Sequence, residues 1–253
     1  MTSKFRAMLF DAKSITKTIY TAYCQDNIKA PIILNQDAPL NPILLIHGSG
    51  DNQCAWSNFV NHLPNQHPIY AFTLDLEFNN GVQQEGLNPI SQRLFTNNKS
   101  TSIEQYATKV INYIEYIFNI HKMPVILIGM SMGGLIARYC ETVLESPHIH
   151  HIITLSTPHR GAPLLNYKTI RYFFPNVRHN QMTPQSEFLT NDKFVVKNIE
   201  KYTTIGSIHD IHVPNDYATI DGVKHIVVDD CGHMGICHSQ IIKNHVISII
   251  MNF

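Results

Sequence analysis

Charge is scarce in this chain, and neither sign is in excess. Charged residues make up 15% of the 253 positions, against a usual ~25%. Lys+Arg and Asp+Glu both number 19. Such a balance gives no electrostatic basis for binding nucleic acid or a strongly anionic membrane. Long apolar runs are missing too. Ala7-Met8-Leu9-Phe10, behind Lys4 and Arg6, is shorter than the ~7–15 residues of a secretory h-region. No run approaches the ~18 apolar residues of a membrane span. These absences predict a chain that is cytoplasmic or exported by a route independent of a signal peptide. No amphipathic basic helix declares a stable membrane anchor, so only transient contact with a lipid surface is expected. Cys24, Cys54, Cys140, Cys231 and Cys237 are odd in number and irregular in spacing, so no disulfide framework is expected. No CxxC pair accompanies the cluster of Cys231, His233, Cys237 and His238, so no metal site is assigned there. Histidine, in contrast, is plentiful at 15 residues. The run His148-Ile149-His150-His151 reads as solvated imidazoles in a turn between a helix and a strand.

What is present is a strand–helix alternation. Six short apolar runs read as strands: Ile43–Ile46, Ile69–Leu74, Val125–Ile128, Ile152–Leu155, Tyr202–Ile205 and His225–Val228. Several are continuous and not alternating, as expected of parallel strands covered on both faces. Thr101-x-x-Glu104 reads as a capping box. Behind it Ile103, Tyr106, Ala107, Val110, Ile111, Ile114, Ile117 and Phe118 recur at helical spacing. Gly133–Leu144 and Ser239–Met251 read as further helices. The pattern predicts an α/β fold with a mostly parallel central sheet and helices on both faces. With no repeat, low-complexity tract or linker, residues 1–253 are expected to form a single domain. Two segments are long and irregular, Asn79–Ser100 and Ala162–Asn198. Loops of this length are usually functional. The second, 162–198, carries Tyr167, Tyr172, Phe173, Phe174, Phe188 and Phe194. It reads either as a lid or cap insertion or as surface helices packed on the core.

Chemistry concentrates at Gly129-Met130-Ser131-Met132-Gly133, which follows the apolar run Val125–Ile128 and opens a helix. A GxSxG between strand and helix is the context of a nucleophile elbow, in which a sharp turn lifts the serine clear of the sheet. A hydroxyl at its ordinary pKa is a poor nucleophile, so Ser131 needs a base. His233, just after the last strand, is the candidate, and His238 is expected to start the final helix. The base in turn needs a carboxylate to fix its tautomer. Asp210 is the choice, with Asp216 its rival, while Asp229 and Asp230 lie too close in sequence to fold back onto the ring. The order Ser131, Asp210, His233 is the one that the α/β-hydrolase topology imposes. Acyl transfer also needs backbone donors for the oxyanion. The N–H of Met132 is one, and the loop His47-Gly48-Ser49-Gly50-Asp51 supplies the other, Ser49 before Gly50.

These motifs together resemble the lipase branch of the α/β hydrolases, especially small bacterial triacylglycerol lipases and esterases. The likeness runs from Pro42-Ile-Leu-Leu-Ile-His47-Gly48 to Gly232-His233-Met234-Gly235. Gly129–Tyr139 is similar to the lipase elbow and its helix. Leu155-Ser-Thr157-Pro158-His159-Arg-Gly161-Ala-Pro163 resembles a strand-end segment that these lipases share with deacylases of lipid anchors, and Gln181–Leu189 resembles a segment that follows it. The resemblance implies carboxylic-ester hydrolysis without metal or organic cofactor, by the same triad, on a lipid or other acyl-ester substrate. It departs from the pattern at Met130, where a histidine is usual, and in the length of 162–198. Phe173 and Phe174, with Tyr172, are expected to line or cover an acyl pocket, and His159 to pack behind the site. A phospholipase, thioesterase or lipid acyltransferase could use the same triad, and a binding protein could retain the fold without catalysis.

Overall fold

The computed structural model describes residues 31–75, 77–79, 82–84, 101–167 and 177–253, together with Ser3, Lys4, Ala7 and Asp11. Its elements run β1 (Ile32–Leu34), β2 (Ile43–Ile46), β3 (Ile69–Ala71), β4 (Glu77–Asn79), β5 (Val82–Gln84), α1 (Ile103–His121), β6 (Val125–Met130), α2 (Met132–Thr142) and β7 (Ile149–Leu155). They continue with α3 (Val177–Gln181), α4 (Glu187–Thr190), β8 (Tyr202–Ser207), β9 (Lys224–Val228) and α5 (Gln240–Ile250). Seven strands form the main sheet in the order β1-β3-β2-β6-β7-β8-β9, and β4 pairs with β5 in a small separate hairpin. Among the described strands of the main sheet, only the edge strand β1 is antiparallel to its neighbour. The six strands expected from the sequence are all present. The short β1 was not foreseen, because three residues leave no legible alternation.

The period of two along each strand divides the core into two layers. In β2, Leu44 and Ile46 face the cluster built with Tyr106, Val110 and Ile114 of α1 and Leu135 and Ile136 of α2. Ile43 and Leu45 face the opposite cluster, with Trp56, Phe59 and Val246 of α5. Both faces of the sheet are therefore dry, which is why the central strands read as unbroken apolar runs. This is the α/β-hydrolase arrangement anticipated above.

Three local expectations are corrected. The capping box lies one residue later, with Ser102 receiving the Gln105 N–H and the Gln105 side chain returning to the Ser102 N–H. Ser102 is the residue with extended backbone at the junction, so its hydroxyl and not that of Thr101 reaches the free amide. The final helix is capped by Ser239, and His238 ends the preceding 3-10 turn. His151 is not solvated: it lies buried in β7 and bonds Thr203 Oγ1 at 3.1 Å. His148 stacks on Phe118, with ring centroids 3.6 Å apart.

Segment 162–198 is described except for 168–176, and several of its side chains are buried. Phe194 and Phe188 are buried beside Tyr139 of α2. Arg138 of α2 stacks over the Phe194 ring at 4.0 Å and donates from Nε and Nη2 to the Phe194 carbonyl. Met182 adds a further buried side chain. Phe173 and Phe174, with Tyr172, lie outside the described residues, as does 85–100 of the first irregular segment.

Candidate active site

The carboxyl ends of β2, β6, β8 and β9 open on one edge of the sheet, where open α/β folds place their ligands. At the end of β6 the chain turns sharply into α2. Ser131 stands at the corner with φ 52° and ψ −122°, a conformation that costs a side-chain-bearing residue about 1–3 kcal/mol. The surroundings hold it there. The Ser131 N–H donates to the Leu155 carbonyl at 2.9 Å, and the Ser131 carbonyl accepts from Gly134 at 3.1 Å. A Cβ at Gly133 would stand 2.2 Å from the Ile46 carbonyl oxygen, so only glycine lets α2 lie this close to β2.

His233 reaches this corner from the far end of the chain. Its Nε2 is 3.1 Å from Ser131 Oγ, and its Nδ1 is 2.7 Å from Asp210 Oδ2. A carboxylate only accepts, so the Nδ1 proton is donated to Asp210 and Nε2 is left to accept from the serine hydroxyl. The other oxygen of Asp210 accepts the backbone N–H groups of His212 at 2.9 Å and Val213 at 2.8 Å. Burial raises the Asp210 pKa, but the His233 charge and these bonds outweigh it and hold the carboxyl below its usual range. Burial lowers the His233 pKa in turn, and Asp210, with a smaller contribution from Asp11, carries it above the ordinary imidazole value. The structure thus brings together Ser131, His233 and Asp210. Asp216 is not part of this group, and Asp230 accepts from Ser239 Oγ instead.

The loop after β2 packs against the same corner. A Cβ at Gly48 would lie 3.3 Å from Ser131 Cβ, which sets the Ser49 segment beside the nucleophile. His47 fixes this loop, a role the sequence did not disclose. Its Nε2 accepts the Leu74 N–H at 3.0 Å, so Nδ1 carries the proton and donates to the Gly48 carbonyl at 2.8 Å. Met132 begins α2, where the first N–H groups of a helix have no partner within it. Ser49 thus lies in the loop that packs against Ser131, and Met132 opens the helix that follows it. The Ser49 hydroxyl lies 3.5 Å from Nε2 of His179 in α3, a neighbour sequence spacing did not suggest.

His159 is fully enclosed, bonded to Thr154 Oγ1 at 3.0 Å. Burial first, and the nearby Arg138 second, push its pKa well down. It packs behind β7. Met130, in the place of the usual histidine, points inward with its sulfur 3.1 Å from Cys237 Sγ. Among the described residues, no three His, Cys, Asp or Glu side chains are grouped to hold a metal ion. Within the same residues no helix is long and apolar enough to cross a membrane.

Residues 40–249 match the profile of the PGAP1-like alpha/beta domain. The chain belongs to this family. Among curated relatives, GPI inositol-deacylase A of Yarrowia lipolytica is 33% identical over 129 residues, 48% of this chain and 12% of that protein. GPI inositol-deacylase of Eremothecium gossypii is 28% identical over 140 residues, 47% of this chain and 13% of its own length. The chain thus corresponds to a small part of these relatives. Among solved structures, the mature lipase of Bacillus licheniformis superposes with a TM-score of 0.61 at 14% identity, covering 85% of this chain and 91% of that one. Aspergillus fumigatus lipase B gives 0.61 at 13%, covering 86% and 55%. At such identities the likeness to lipases is one of fold alone, the α/β-hydrolase fold.

Proposed function

We propose that this PGAP1-like domain hydrolyses carboxylic esters of lipids through an acyl-Ser131 intermediate. The observation that carries the reading is the continuous chain Ser131 Oγ, His233 Nε2, His233 Nδ1, Asp210 Oδ2, with separations of 3.1 and 2.7 Å at a strained strand–helix corner. His233 accepts the Ser131 proton as Oγ attacks the ester carbonyl. The backbone N–H groups of Met132 and Ser49 receive the oxyanion. His233 then protonates the departing alcohol, and the same imidazole activates water to release the acid. No step calls on a metal or organic cofactor.

The curated relatives support one substrate class. Their names describe removal of an acyl group from inositol in a lipid anchor, which favours an acyl ester on a polyol head group over the triacylglycerol suggested by the bacterial lipases. Phospholipid, acyl-thioester and acylglycerol substrates, with product analysis, separate this reading from phospholipase, thioesterase and acyltransferase chemistry.

Hydrolysis of p-nitrophenyl esters across acyl lengths, in wild type and Ser131→Ala, tests the proposal. Turnover is expected to fall by at least ~10³-fold in the variant, with loss of fluorophosphonate labelling. A wild type that folds but takes no label would sink the reading in favour of a binding protein on this fold. The acyl-length profile also bears on 162–198 as a cap and on Phe173 and Phe174 as acyl-pocket residues.

A further inference from the structure

The loop that carries His233 has no cap of its own. It enters a 3-10 turn at His233–His238 with Gly232 at the cap position, and glycine offers no side chain to receive the free N–H groups. A carboxylate from the opposite end of the chain takes that place. Asp11 Oδ1 accepts the N–H of Gly232 at 2.9 Å and of Gly235 at 2.8 Å, so one oxygen grips the backbone on both sides of His233. The fit is close. A Cβ at Gly232 would stand 2.1 Å from Asp11 Oδ2 and 2.9 Å from its Cγ, so the carboxylate occupies space that only glycine leaves. Ala7, four residues earlier in helical backbone, is 1% exposed, whereas Ser3 and Lys4 are exposed.

We infer that Asp11 is a positioning residue for His233, holding the loop by its backbone and setting a second negative charge near the imidazole. The inference rests on the serine-hydrolase reading of the site. Misplacing a reacting group by about an ångström can cost ~10²-fold in rate, and two bonds astride the histidine resist that drift. The charge matters as well, because His233 must carry a proton midway through acyl transfer. Among the described residues, three titratable groups face the ring: Asp210 at 2.7 Å from Nδ1, His212 with its ring centroid 5.2 Å away, and Asp11. Asp210 is the partner in the hydrogen bond, and Asp11 adds to its field from another element. The His212 pKa is pushed down, by burial first and by His233 next, so this neighbour opposes the imidazolium little.

Asp11→Asn and Asp11→Ala in the full chain test the inference. Asn keeps an acceptor oxygen but loses the charge. Removing a negative charge disfavours imidazolium, so the His233 titration, followed by side-chain NMR, is expected to move to lower pH in Asp11→Asn. The acid limb of kcat/KM should move with it. Asp11→Ala, which also releases the loop, should lose about 10–100-fold in kcat with KM within about twofold, and Asp11→Asn should recover part of that loss. A general loss of stability would lower the active fraction without moving the titration. An unchanged His233 titration in folded Asp11→Asn overturns the inference, whatever the activity. The NMR readout needs no turnover, so a wild type inert on every ester would count against the hydrolase reading and leave the Asp11 test standing.

Discussion

His233 is held between Asp210 and Ser131, and the state of its proton decides what the site can do. Nucleophile activation needs neutral imidazole, so kcat/KM is expected to rise with pH through the folded His233 pKa, which lies above the ordinary value. Asp210→Asn removes the largest contribution that raises it. Its acid limb should therefore lie at lower pH than that of wild type. The amide can also donate to Nδ1 and impose the wrong tautomer, and kcat should fall by up to ~10⁴-fold. A pH–rate profile of both proteins checks the two effects together. A variant that kept its limb in place while losing activity would mean that Asp210 acts only by shape. At this scale the sequence was informative for Ser131, Asp210 and His233, because their neighbours carry the signal: glycines, strand ends and chain order. It was silent for Asp11 and His47. Asp11 lies 221 residues before the Gly232 amide that it binds, and no local spacing encodes such a contact.

Among elements, α2 links the site to the packed part of 162–198. It starts at the residue after Ser131 and carries Arg138 two turns on, where burial lowers the guanidinium pKa to about 10. That group stays charged, and it is satisfied by the Phe194 carbonyl and ring. Phe194→Ala deletes the ring over a buried cation and leaves a cavity beside Phe188 and Tyr139. It should cost about 3–5 kcal/mol, read as a lower denaturant midpoint at constant slope. Ester hydrolysis by the remaining folded protein should stay within a few-fold of wild type, since Phe194 touches none of Ser131, His233 or Asp210. A loss of turnover in the folded variant would instead tie this segment to the reaction. The aromatic content of 162–198 left cap and packed helices both open. In the described part Phe188 and Phe194 are buried, and buried aromatics dominate the local energetics.

For the whole molecule, the histidines set how stability depends on pH. His151 is pushed down to about 4 by burial, helped by His150 and Lys224, and His159 falls well below its ordinary value. His121, His212 and His225 shift the same way, each through burial first. Such groups are neutral in the folded chain, while the unfolded chain takes up protons below ~6.5. Their contribution is present above that pH and is lost as pH falls toward the folded values. His233 works oppositely, stabilising fully below ~6.5 and losing that contribution as pH rises through its raised pKa. The lowered group is the larger, so the thermal midpoint should drop between pH 7 and pH 4.5. His151→Asn should show a shallower drop than wild type. Equal slopes would mean that His151 does not titrate in this window.

The order of apolar runs, the elbow glycines and the succession Ser131, Asp210, His233 were decided by the sequence alone, because strand burial on two faces and a tight turn each leave a local signature. Tertiary structure alone decided that the capping serine is Ser102, that His151 is interior, that Arg138 clasps Phe194, and that Asp11 grips the His233 loop. Each of these depends on which backbone group lies free beside which side chain, and such a match exists only once distant segments have packed.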